Sequence, residues 1–225
     1  TLTRAEGIRE FLLAATAMTV ASWRRERAQD PSAGTLIALD GHGRADAVLE
    51  ADTTGTVGWF TTAFPVRLGS GRHAVDIEAA QADPGAARAL LNSVASYLAT
   101  IPYDGLDYGL LRYVNRVPEL AQASEPQIMF SYMGRLDVSG VTEQPWSLLS
   151  EFESEGLPID PEPDLPLRFA LYTSAWIRST TDGPQLMTTW LWSDALFTAS
   201  DIDRLIDLWQ CSIAVLAGAR RMDSA

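Results

Sequence analysis

The sequence contains no lysine, so all 17 of its basic residues are arginine. A pyridoxal-phosphate enzyme needs a lysine for its Schiff base and a P-loop needs one for its phosphates, so neither chemistry can be completed here. Cysteine is almost as scarce. Cys211 stands alone, which excludes an internal disulfide, and its Leu-rich, helical surroundings predict a buried structural thiol rather than a nucleophile. The two histidines, His42 and His73, are too far apart in sequence to suggest a zinc site, and no metal is expected. His73, next to Gly71 and Arg72, reads as a solvated loop residue. No stretch approaches the roughly 18 to 20 apolar residues of a membrane span, and Arg4, Glu6, Arg9 and Glu10 interrupt any signal-like apolar region at the start. The expectation is a cytoplasmic chain with no membrane partner. Basic clusters are missing as well: 29 acidic residues against 17 basic ones give a formal net charge of -12, whereas nucleic acid demands clustered cations. Small molecules or a protein partner remain.

At 225 residues and 47% hydrophobic composition the chain can bury a sizeable core, and residues 1–225 are read as a single lobe. Ile8, Phe11, Leu12, Ala15, Met18 and Ala21 recur three and four apart, predicting one face of a long helix that ends near Arg27. The apolar run from Thr35 to Asp40 ends in Gly41, His42 and Gly43, a strand closed by a tight glycine turn. A second strand is expected from Thr56 to Leu68, with Pro65 confining it to an edge or a strand end. Asp76 to Thr100 reads as a helix that Pro84 and Gly85 either break or start. Leu110 to Val114 is a short helical stretch, and Gln127 to Met133 a third strand. Leu167 to Ser179 and Gln185 to Trp192 form a hairpin across Asp182, Gly183 and Pro184. A closing helix begins near Ser200, with Asp203 completing a variant capping box. Residues 151–166 are acidic and proline-rich and are expected to form a solvated loop. The order of elements implies an α/β (α+β) lobe, with helices packed on one face of a mixed β-sheet.

Three groups of residues carry a more specific signal. Asp40-Gly41-His42-Gly43-Arg44 comes first, and Gly58-Trp59-Phe60-Thr61 follows with Phe64-Pro65-Val66. Tyr108-Gly109-Leu110-Leu111-Arg112-Tyr113 and Phe130-Ser131-Tyr132-Met133-Gly134 complete the set. Together these segments resemble, in order and approximate spacing, the second half of the epimerization domains of nonribosomal peptide synthetases. Trp59, and the missing Asn after Phe60, favour that family over condensation domains of the same superfamily. The sequence departs from the family's pattern where Asp40 replaces Glu, Ala45 replaces the segment's closing Glu, Asp107 replaces Gly and Ser131 replaces Asn.

The resemblance implies the C-terminal half of a chloramphenicol-acetyltransferase-like two-lobed fold. It implies an activity that converts an L- to a D-aminoacyl or peptidyl thioester by removing and returning the α-proton. The partners would be the N-terminal lobe of the same domain, with its catalytic histidine, and a peptidyl carrier protein. No cofactor would be bound directly, since the substrate rides on the carrier's phosphopantetheine. Asp40 is the candidate acid/base, at the end of an apolar strand where partial desolvation suits proton transfer. An aspartate capping its own glycine turn is the structural alternative. Tyr132 is the candidate to steady an enolate, and His42, Arg44, Trp59, Phe60 and Ser131 are candidate substrate contacts, with Phe64 beside them. For Trp59, Phe60 and Phe64, plain core packing is the alternative. Arg44, Arg112 and Arg135 are candidates for ion pairs across the lobe interface or with the carrier. His42 through Asp46 also reads His-x-x-x-Asp, the acyltransferase pattern, and is taken as coincidence. The competing functional readings are a lobe of an amide-forming condensation domain and a degenerate scaffold that docks carrier proteins. This lobe alone is expected to be inactive.

Overall fold

The computed structural model describes residues 7–44, 46–70, 76–136, 168–180 and 183–221. His73, the acidic stretch 151–166 and the hairpin residue Asp182 lie outside them.

Among the described residues five strands form one mixed sheet in the order β2-β1-β3-β4-β5. β1 (Thr35–Gly41) pairs antiparallel with β2 (Thr62–Leu68) and parallel with β3 (Ile128–Leu136). β4 (Leu171–Thr180) runs parallel to β3 and closes an antiparallel hairpin with β5 (Gly183–Trp192). β2 lies at the sheet's edge, where Pro65 is tolerated because its missing N–H is not needed by an outer neighbour. Side chains alternate across each strand. Ile37, Leu39, Phe64, Val66, Phe130, Ala175 and Ile177 therefore point together into a core shared with the helices.

Three long helices cover that face: α1 (Ile8–Glu26), α4 (Pro84–Ala99) and α7 (Ala199–Arg221). α1 is buried on more than the single stripe its apolar spacing predicts, because α7 and α4 both pack against it. Leu13, Ala14 and Ala17 are as fully enclosed as Leu12 and Ala15. Two threonines in its middle return their hydroxyls to their own helix: Thr16 Oγ1 donates to the Leu12 carbonyl at 2.9 Å and Thr19 Oγ1 to that of Ala15 at 2.8 Å. That satisfies their polar atoms inside an apolar interior.

The smaller elements are α2 (Asp46–Leu49), α3 (Ala79–Ala82), α5 (Leu106–Gly109) and α6 (Pro118–Ala121). Asp83 ends α3 and caps α4, its Oδ2 accepting the Ala86 N–H at 2.8 Å, and Pro84 occupies the first turn where no N–H is needed. The expected helix from 76 to 100 is thus two helices meeting at a cap. Leu110–Val114 is a wide turn, closed by the Asn115 N–H donating to the Leu110 carbonyl five residues back.

Three expectations need correction. Residues 56–61 are not strand, since the last ladder pair is Gly41 with Thr62 and β1 turns away beyond it, leaving nothing to pair with. The capping box of α7 lies two residues earlier than expected. The Thr198 N–H donates to Asp201 Oδ2 at 3.0 Å, and the Asp201 N–H returns to Thr198 Oγ1 at 3.2 Å. Cys211 is exposed, because α7 turns its neighbours Leu208 and Ser212 inward instead.

Candidate functional site

β1 and β3 run parallel, so their C-terminal ends lie together at one end of the sheet, the usual place for a ligand crevice in such sheets. Leu39 pairs with Phe130 in the core, and the next residue on each strand, Asp40 and Ser131, points to the opposite face. There Ser131 Oγ donates to Asp40 Oδ2 at 2.5 Å. Ser131 is buried and Asp40 half-buried, so this short contact lies at the boundary between the sheet interior and the cleft. Among the described residues Asp40 Oδ1 has no hydrogen-bond partner, which leaves one carboxylate oxygen for a substrate.

The glycine turn after Asp40 is shaped by close approaches from two directions. Gly43 has φ +63°, and a Cβ there would stand 1.5 Å from the Phe60 carbonyl oxygen. A Cβ on Gly41 would stand 2.6 Å from the Asp104 carbonyl oxygen. The His42 N–H donates to Asp104 Oδ2 at 3.3 Å, while its imidazole is exposed. Arg44 turns back over the following loop, donating to the carbonyls of Thr53 and Thr56 and lying 4.3 Å over the Phe60 ring.

Asp40, His42, Arg44, Phe60, Ser131 and Tyr132 line one open cleft of about 560 Å³. Six of the seven site residues expected from sequence therefore come together. Trp59 does not: it is 91% exposed and stands outside the cleft, because the residues beside it, Gly58 and Phe60, take the inward positions. Phe64 is core, with Gly105 packed on its ring. Arg112 is not an interface cation either. It is buried and spends its guanidinium on Tyr108 Oη, the Leu120 and Ala123 carbonyls and the Glu125 carboxylate. Arg135 is exposed.

Tyr132 follows Ser131 on β3, so its ring packs against the core cluster while also bordering the cleft. Burial pushes its phenol pKa up, opposed by the positive charge of Arg135. Like any tyrosine hydroxyl it is protonated at neutral pH, and burial extends that to higher pH. Sequence reasoning missed Arg9, Glu10 and Asp104, which also line the cleft. The Asp104-Gly105 pair signals a turn, but nothing local signals that this turn meets the glycine turn after Asp40.

The mixed sheet with helices on one face forms one lobe of a chloramphenicol-acetyltransferase-like fold. Solved structures share this fold. The epimerization domain from the third module of tyrocidine synthetase B matches with a TM-score of 0.65 and 24% identity, covering 94% of this chain and 42% of that one. The X-domain from teicoplanin biosynthesis, in its complex with OxyB, matches at 0.53 with 15% identity, covering 93% and 40%. By sequence the chain is 30% identical over 202 residues to a linear gramicidin synthase protein of Brevibacillus parabrevis, covering 88% of this chain and 2% of that protein. It is also 30% identical over 181 residues to bacitracin synthase 2 of Bacillus licheniformis, covering 80% and 6%. The chain thus spans only a few per cent of the length of these relatives, and no protein-family profile matches it. It is similar in sequence to these peptide synthases and shares the fold of one lobe of an epimerization domain. Among the described residues no helix is long and apolar enough to cross a membrane.

Proposed function

We propose that this lobe supplies the acidic half of a proton-transfer pair that epimerizes a carrier-bound aminoacyl or peptidyl thioester. The observation that carries this reading is the Asp40 carboxylate at the wall of an open cleft, anchored through Oδ2 by Ser131, with Oδ1 unengaged among the described residues. The likeness to the tyrocidine synthetase epimerization domain supports the same reading.

A thioester acidifies its α-carbon. One group breaks the Cα–H bond by taking the proton, and the electron pair passes into the carbonyl as an enolate. A second group returns a proton from the opposite face, so substrate and product differ only in configuration and no oxidant or reductant is consumed. Inversion requires the two groups to stand on opposite sides of the carbon. Asp40 serves as one, acting as base in one direction and as acid in the other. The second comes from the N-terminal lobe, whose histidine would face Asp40 across the cleft. The protonated hydroxyl of Tyr132 donates a hydrogen bond to the developing enolate oxygen. The peptidyl carrier protein delivers the thioester on phosphopantetheine, and the exposed imidazole of His42 and the ring of Phe60 meet the incoming arm or side chain.

The chain alone therefore leaves the chirality of a carrier-bound aminoacyl thioester unchanged, and joined to its N-terminal lobe it inverts it. Chiral analysis of the released amino acid reads both. Inversion by the chain alone overturns the two-lobe reading. Amide formation between two loaded carriers without α-proton exchange in deuterated water assigns the domain to condensation instead.

A further inference from the structure

We infer that Asp104 is a positioning residue for the proton-transfer site, holding the glycine turn through which Asp40 is aimed; this rests on the epimerization reading above. Asp104 Oδ2 accepts the His42 N–H at 3.3 Å, and Oδ1 accepts Arg9 Nη1 at 3.2 Å. Its main-chain carbonyl accepts Thr62 Oγ1 at 3.0 Å. One residue thereby ties the turn to the first turn of α1 and to the start of β2. Among the described residues Asp104 is the acceptor of the His42 N–H, and Gly41, the neighbour of Asp40, packs directly on it.

The backbone adds an independent observation. Tyr103 (φ 50°, ψ 35°) and Asp104 (φ 51°, ψ 40°) are consecutive left-handed residues with side chains. Residues other than glycine hold that conformation only where their surroundings impose it, and such strain gathers at functional sites. Here the contacts to Arg9, His42 and Thr62 impose it, and the result is a carboxylate seated under the turn. Asp104 is not a catalytic residue: it acts on the reacting carbon only through the direction it gives Asp40. Displacing a reacting group by about 1 Å can cost on the order of a hundredfold in rate.

Asp104→Gly separates positioning from folding, because glycine adopts the left-handed backbone freely while removing the carboxylate. In the complete two-lobed domain this variant is expected to fold as stably as the parent and to lose about tenfold to a hundredfold in kcat for α-proton exchange, with KM within about twofold. Amide hydrogen exchange across residues 39–44 should accelerate, since the His42 N–H loses its acceptor. Asp104→Asn, which keeps an amide oxygen for that N–H and tolerates the backbone, should recover most of the lost kcat. An Asp104→Gly domain with parental kcat, or with unchanged exchange across residues 39–44, overturns the inference. So does an Asp104→Asn variant as impaired as Asp104→Gly. If the parent domain exchanges no α-proton, the epimerization reading has failed, and the amide exchange of Asp104→Gly still decides whether Asp104 holds the turn.

Discussion

Ser131 Oγ donates to Asp40 Oδ2 at 2.5 Å across two neighbouring parallel strands, at the point where both leave the core for the cleft. The bond fixes one carboxylate oxygen and so sets where the other can reach. Ser131→Ala should cut kcat for α-proton exchange about tenfold, or ~1.4 kcal/mol of barrier, with little change in stability. Ser131→Thr, which keeps the hydroxyl, should lose much less. Exchange of the α-proton of a carrier-bound thioester in deuterated water checks both.

Gly43→Ala should be more damaging than its size suggests. Its Cβ would stand 1.5 Å from the Phe60 carbonyl oxygen, and its φ of +63° disfavours any side chain. The turn must move, carrying His42 and the Phe60 wall of the cleft with it. The expected result is α-proton exchange reduced at least tenfold and a Tm lowered by a few degrees, about 2–4 °C per kcal/mol for a chain of this size. Far-UV circular dichroism should show the helices intact.

The elements that frame this site are legible in the sequence because they are local. An apolar run stopped by Gly41-His42-Gly43 reads directly as a strand meeting a turn, and the sheet puts Asp40 and Ser131 side by side. Residues 56–61 read as strand but are not, because a strand needs a neighbour and β1 has already turned away at Gly41. Arg44 and Arg112 read as interface cations because charge alone does not say whether a guanidinium meets a partner protein or its own carbonyls. Asp104 is invisible in the sequence because its partners His42 and Arg9 lie 62 and 95 residues away.

The helical layer has an acid-sensitive edge. Arg204 donates to Glu26 and Arg27 to Asp201, joining the end of α1 to the start of α7. The Arg204 hydrogen bond lowers the Glu26 pKa, and hydrogen bonds from Thr198 lower that of Asp201, with Arg27 adding to it. A carboxylate whose folded pKa is depressed stabilises the fold above its unfolded pKa, and that contribution is lost as pH falls through the folded value. Thermal stability should therefore decline as pH drops below about 4, and Arg204→Ala should flatten part of that decline. These groups are exposed or only half-buried, so the effect is small and should shrink further in high salt.

Burial separates two substitutions of large apolar residues. Leu13 is fully enclosed in α1, and Leu13→Ala should cost about 2–5 kcal/mol through lost burial and the cavity left behind. Trp59 is 91% exposed, and Trp59→Ala should leave stability within about 0.5 kcal/mol. Chemical denaturation of the two variants gives both numbers.

The role of Asp40 is tested most directly by the Asp40→Asn variant of the complete domain, assayed for exchange of the α-proton of a carrier-bound aminoacyl thioester with deuterated solvent. Asparagine preserves the shape and the contact with Ser131 but cannot carry the proton. Exchange and inversion should fall by at least about a hundredfold while the variant stays folded and still binds the loaded carrier. Undiminished exchange in Asp40→Asn would contradict the proton-transfer role and leave the lobe as a carrier-docking scaffold.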